Sequence, residues 1–174
     1  MKKFELTNDT KIVFGKKLFR IKALVSFGNV KKDELGGYVE KEENLSHAGN
    51  AWVYGDAEVY GNARVCGNAW VYGDAEVCGN AWVYGDAEVC GNARVYGNAD
   101  YTCVKGFGTE YRNTTFYRQK NGSIGVKCGC FYGTIDEFRE QVNKTRDGKI
   151  AKEYLMIADL MEYHFQKEEG VGDE

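Results

Sequence analysis

The chain has 174 residues, 22 of them glycine and none proline, a length that suits one domain or two small ones closely joined. A net charge of −3 and a pI near 5.6 leave no basic excess to neutralise phosphates, which argues against a nucleic-acid polymer as partner. No apolar run approaches membrane-spanning length, Met1-Lys2-Lys3 leads into an alternating strand, and the six cysteines form no obvious disulfide framework, so the sequence predicts a cytoplasmic protein with reduced thiols and no membrane contact.

Residues 1–36 read as an N-terminal β cap. Within 4–28, FELT and TKIVF face LFRIKAL across a turn at Gly15-Lys16, with alternation at Leu18, Arg20, Lys22 and Leu24. A repeat array needs such a cover, because an open end presents unpaired strand edges.

Residues 37–102 carry the repeat. Nine consecutive hexads of the form G-[N/D]-A-x-V-x run from Gly49, and the last departs from the pattern at Asp100, Tyr101 and Thr102. Ala and Val stand two apart, as in Ala51/Val53 and Ala57/Val59, so on an extended chain both point to one side. Gly and Asn or Asp tolerate the left-handed region and let the chain turn every six residues. A lone hexad cannot bury its apolar side, so only stacking closes a core. Upstream, Gly37–Glu42 and Glu43–Ala48 fit the frame loosely and read as a degenerate first coil.

Residues 103–174 change character. Arg112–Arg118 and Ile124–Phe131 flank Asn121-Gly122, a strong hairpin signal. Thr134-Ile135-Asp136-Glu137 is a capping box opening a helix that runs to about Arg146, where Asp147-Gly148 ends it. A second helix carries Ala151, Tyr154, Leu155, Ala158, Met161 and Phe165 at helical spacing, giving a small α+β unit.

The repeat, LGGYVEKEENLSHAGNAWVYGDA at its front and CGCFxGTxxEF behind it together resemble a group of hexapeptide-repeat proteins of bacterial and phage genomes, over nearly the full chain. The resemblance implies a mainly β fold: a left-handed parallel β-helix of eighteen-residue triangular coils, with an N-terminal β-hairpin cap and a small C-terminal α+β domain. It also implies a homotrimer assembled through flat faces. The clean hexads then make three coils at a spacing of roughly 4.8 Å. Each coil places three Val and three Ala inward, so the interior fills with methyl groups and any ligand binds outside.

Outward residues then stack at intervals of eighteen. Trp52 lies under Trp70 on one face, Trp82 shares another with Arg64, and Arg94 is a further outward residue. Aromatic residues at so many outward positions suggest an interface, although the identical copies of GNAWVYGDAEVC at 67–78 and 79–90 also admit plain duplication as their origin. Cys66, Cys78 and Cys90 occupy outward positions on three different faces, too far apart to pair. In the C-terminal hairpin, alternation places Arg112, Thr114 and Phe116 on one side and Asn113, Thr115 and Tyr117 on the other. Arg112 and Thr114, with Arg118 and Lys127 nearby, are candidates to hold a phosphate or carboxylate while Tyr117 stacks on a ring.

Hexapeptide acyltransferases use a histidine as general base. This chain offers only His47, in the degenerate coil, and His164, expected to edge the apolar helix face beside Ile157 and Leu160. Cys103, Cys128 and Cys130 with His164 supply the count for a zinc site but lack the usual knuckle spacing, so core packing is the favoured reading and no metal or other cofactor is expected. The leading expectation is a non-catalytic trimeric binding protein that captures a small anionic, nucleotide-like ligand at inter-subunit surfaces, of the kind a phage would use to sequester a host signal. The alternatives are an acyl-CoA-dependent acyltransferase with His47 as base, and a purely structural trimer.

Overall fold

The computed structural model describes residues 1–166. At the N-terminus, β1 (Phe4–Val13) and β2 (Lys16–Ala23) pair antiparallel. Val13 faces Lys16 in register, so the turn is Phe14-Gly15, one residue earlier than the sequence suggests, with positive φ of 47° and 78° as a two-residue primed turn requires. β2 pairs antiparallel with β3 (Leu35–Val39), and β3 runs parallel to a solenoid strand. The hairpin therefore extends one face of the solenoid by hydrogen bonding, which removes the open edge at that end.

The hexads form a β-solenoid of about three turns. Its two-residue strands are β4 (Trp52–Val53), β5 (Glu58–Val59), β6 (Arg64–Val65), β7 (Trp70–Val71), β8 (Glu76–Val77), β9 (Trp82–Val83), β10 (Glu88–Val89) and β11 (Arg94–Val95). They stack in parallel as three faces: β3-β5-β8-β11, β4-β7-β10 and β6-β9. Register is eighteen residues, with Trp52 opposite Trp70, Glu58 opposite Glu76 and Arg64 opposite Trp82. The degenerate first coil departs from this: Tyr38 stands opposite Glu58 and Leu45 opposite Val65, so two extra residues are absorbed between Leu45 and Trp52, where His47 lies.

Every hexad Ala and Val from Ala51 to Val95 is at most 1% exposed, and each buried Val is worth about 1.5–3 kcal/mol relative to exposure. Backbone bonds join successive coils, for example Trp52 N–H to the Ala69 carbonyl at 3.1 Å and Tyr54 N–H to Val71 at 2.8 Å. At two corners side-chain amides continue the ladder: Asn50 donates to Asn68 at 3.3 Å and Asn68 to Asp86 at 3.1 Å, and Asn62 donates to Asn80 at 3.2 Å.

The ninth hexad leaves the stack. Asn98–Asp100 forms a short 3₁₀ turn, and β12 (Tyr101–Phe107) begins a separate antiparallel meander with β13 (Arg112–Arg118), β14 (Ile124–Cys128) and β15 (Phe131–Thr134). The expected hairpin is its centre. The outer strands carry no comparable sequence signal: β12 begins inside the last hexad, and the run to Phe131 breaks at Gly129, whose φ is +57°. The capping box forms as read: Thr134 N–H donates to Glu137 Oε2 at 2.7 Å and Glu137 N–H to Thr134 Oγ1 at 3.3 Å, opening α1 (Ile135–Thr145). α2 (Gly148–Phe165) follows and buries Ile157, Ala158, Met161 and Phe165.

β13 divides two cores. Phe116 belongs to the cluster with Phe138, Val142 and the α2 residues, while Tyr117 belongs to the solenoid core. The C-terminal sheet thus lies between the last coil and the helices. Thr115 Oγ1 accepts from Glu88 N–H at 3.0 Å, Asn113 donates to the Asp86 carbonyl at 2.9 Å, and Lys120 N–H donates to the Asn92 carbonyl at 2.9 Å. These bonds satisfy the lower edge of the solenoid as the hairpin satisfies the upper one.

Several outward assignments need correction. Trp52 is fully buried because the N-terminal segment folds over it, with Phe27 at 5.4 Å and Phe4 at 6.3 Å between ring centroids, both edge to face. Cys78 and Cys90 are likewise buried, the first in a cluster with Leu18, Tyr38 and Tyr60, the second with its Sγ 3.1 Å from the Tyr117 hydroxyl. Burial pushes the Cys78 thiol up to about 11. Tyr117 is fully buried instead of exposed for stacking. His164 and Leu160 are exposed, so that histidine does not edge the core.

Candidate functional site

The flanks cover two of the three solenoid faces unequally. On β4-β7-β10 the N-terminal segment seals Trp52, Tyr54 packs edge to face on Trp70 at 5.7 Å, and Lys127 stands 3.6 Å from Glu88. On β3-β5-β8-β11 Lys11 pairs with Glu58 at 2.7 Å and its ammonium lies 4.1 Å from the Tyr38 ring centroid. There Glu76 is 4% exposed, accepts a hydrogen bond from the Tyr60 hydroxyl and faces Arg94 Nε at 3.5 Å. Burial, and secondarily the Glu76 carboxylate, holds the Tyr60 hydroxyl well above the usual phenol range.

The β6-β9 face carries no such cover. Arg64 is exposed, Trp82 is 47% exposed, and the guanidinium carbon lies 5.5 Å from the indole centroid. Among the described residues no carboxylate lies within 4.0 Å of the Arg64 guanidinium, whereas Arg20, Arg94, Arg118 and Arg139 are all paired. The pair lines a groove of about 560 Å³ whose opposite wall carries Glu42, Glu43, Ser46 and His47, with Glu42 engaged by His47. A cation and a flat aromatic surface next to an open groove suit an anion attached to a ring.

His47 is held as a clasp. Its Nδ1 accepts the Lys3 N–H at 3.1 Å, its Nε2 lies 2.6 Å from Glu42 Oε1, and its ring stacks on Phe4 with centroids 4.3 Å apart. The hydrogen bond from His47 is the main reason that the Glu42 carboxyl sits below its ordinary range. Both ring nitrogens are engaged in tying the N-terminal strand to the first coil, and Lys3 completes the tie by donating to the Ala51 carbonyl at 2.8 Å.

The other predicted residues do not converge with Arg64 and Trp82. Arg94 is occupied by Glu76 and lies 4.7 Å from the Tyr96 ring centroid. Arg118 pairs with Asp100 at 3.0 Å and lies over Phe165, and Lys127 donates to the Gly129 carbonyl. Thr114 is 4% exposed with its hydroxyl 3.1 Å from Cys128 Sγ, so it does not join the exposed Arg112 in an anion site. Cys103 stands opposite Thr115, on the solenoid side of the sheet, and Cys128 opposite Thr114, on the helix side, so strand alternation separates them. Among the described residues no group of three or more His, Cys, Asp or Glu is placed to hold a metal.

A family model described as YdcK Beta solenoid repeat matches residues 57–73, inside the first two clean coils. The match and the architecture together make this a repeat β-helix protein. No curated protein matches the chain. Among the described residues no helix is long and apolar enough to cross a membrane.

Proposed function

We propose that the protein is a non-catalytic trimeric binder that captures a small anionic, nucleotide-like ligand at the seams between subunits, through Arg64 and Trp82. The observation that carries this reading is the bare β6-β9 face: the only exposed outward Trp of the repeat and a cation without a carboxylate partner among the described residues share it, beside the groove. The solid methyl-filled interior directs any ligand to the outside. Repeat β-helix proteins often trimerise, and a flat strand face is the natural contact. A protein that only holds a charged nucleotide suits the sequestration of a signal, the role a phage genome would retain. Engagement of both His47 nitrogens favours binding over acyl transfer.

Light scattering on the purified protein is expected to give a trimer. A thermal-shift screen of cyclic nucleotides and ADP-ribose derivatives is expected to give a hit whose stabilisation reaches about 2.7 kcal/mol at a hundredfold excess over Kd. Trp82→Ala is expected to weaken that hit by about 1–3 kcal/mol through lost stacking. Acetyl transfer from acetyl-CoA that disappears in His47→Ala would replace the binding reading with the enzymatic one. An intact trimer that ignores every probe would favour the scaffold.

A further inference from the structure

The C-terminal unit contains a cleft that the solenoid reading does not use. It has a volume of about 270 Å³ and opens between the β12–β13 turn, the Gly129-Cys130 turn and the C-terminal end of α1. Its apolar wall comes from Phe131, Phe138 and Val142, and Phe138 packs edge to face on Tyr154 at 5.7 Å between centroids. Arg112 and Arg146 are among its lining residues, with Glu110 the one carboxylate there. Neither guanidinium has a carboxylate within ion-pairing distance among the described residues, although Arg118 and Arg139 of the same unit are both paired.

The local backbone is shaped to hold these groups. Gly129 has φ +57°, a turn that favours glycine, and the Arg112 guanidinium lies against it, Nη1 2.5 Å from where a Cβ would stand. Tyr154 reaches across to the Phe107 carbonyl, its hydroxyl 3.4 Å from that oxygen. Arg112, Arg146 and Tyr154 all line the cleft, and the Tyr154 hydroxyl is pushed up by burial and by the neighbouring Cys128 thiol, with the two arginines opposing. Two cations over an aromatic pocket of this size match a small molecule with an anionic head and an apolar body.

We propose that this cleft is a second ligand site, separate from the bare solenoid face, which takes a small carboxylate or phosphate monoester with an apolar body: the head between Arg112 and Arg146, the body against Phe131 and Phe138.

The test is amide-resolved NMR titration of the full chain with 3-phenylpropionate, phenyl phosphate, inorganic phosphate and the neutral 3-phenylpropionamide. One or both aryl anions are expected to shift the resonances around Arg112, Gly129 and Arg146, and to bind at least about tenfold tighter than the amide, a difference of about 1.4 kcal/mol. Inorganic phosphate is expected to bind more weakly than phenyl phosphate, because it cannot use the apolar wall. Arg112→Gln and Arg146→Gln, both at exposed positions that leave the fold intact, are each expected to lower aryl-anion affinity about tenfold, while Arg64→Gln leaves it unchanged. No shifts around the cleft, affinities there equal for anion and amide, insensitivity to both substitutions, or no binding by any probe would overturn the proposal. Because Arg64→Gln reads only the solenoid face, loss of one site leaves the other measurable.

Discussion

Gly79 and Gly85 occupy the same place in successive hexads and have almost the same backbone, φ +62° and +69°. Replacing either by alanine places a Cβ in the left-handed region, at a cost of about 1–2 kcal/mol. The two positions differ in what lies beneath. A methyl at Gly79 would overlap the Tyr96 carbonyl oxygen and stand 3.3 Å from its carbon, whereas at Gly85 nothing lies within 4 Å, because the chain leaves the solenoid before completing a coil under it. Overpacking against backbone that cannot move aside adds about 1–3 kcal/mol at Gly79 alone. With a urea m-value of about 2 kcal/mol/M, Gly79→Ala is expected to unfold at a midpoint about 0.5–1.5 M below Gly85→Ala. The assay is equilibrium urea unfolding at one protein concentration, followed by tryptophan fluorescence and far-UV circular dichroism. Equal midpoints would refute the view that coil-to-coil backbone contact, beyond the positive φ, makes glycine necessary at the corners.

Lys3 is 3% exposed, and burial lowers its pKa from 10.5 to about 8, so between those values the unfolded chain binds more protons and stability rises with pH, by up to about 3 kcal/mol for this group. Lys3→Met is expected to remove that rise, so the wild-type urea midpoint should gain on the variant between pH 8 and 10.5, and parallel pH profiles would contradict the assignment. Tyr117→Phe deletes only the hydroxyl beside Cys90 and is expected to cost about 1 kcal/mol, whereas Tyr117→Ala opens the contact between last coil and C-terminal sheet and is expected to cost about 3–5 kcal/mol, both read from the same unfolding curves.

Much of the architecture is legible in the residues. Ala and Val at period two, glycine every six positions and the Thr134–Glu137 box each act locally, and the solenoid core and α1 form where they point. The eighteen-residue register is implied by the resemblance to hexapeptide-repeat proteins, and Arg64 stands opposite Trp82 as that resemblance implies. Exposure was not legible. Trp52 and Trp82 fill the same slot of the same motif, yet Trp52 is fully buried and Trp82 is 47% exposed. The difference comes from Phe4 and Phe27, residues far away in sequence, which the fold delivers to one face and not to the other. The same limit hid the cleft between Arg112 and Arg146, since no spacing announces that residues 34 positions apart will border one pocket.

The sequence by itself determined a stacked repeat with a dry centre, because side-chain alternation and left-handed glycine corners are properties of a few neighbouring residues. Tertiary structure alone decided which outward side chains remain outward. That depends on where the two flanks dock, and docking is governed by the unpaired edges at the ends of the stack, to which β2 and the β12–β15 sheet supply partners.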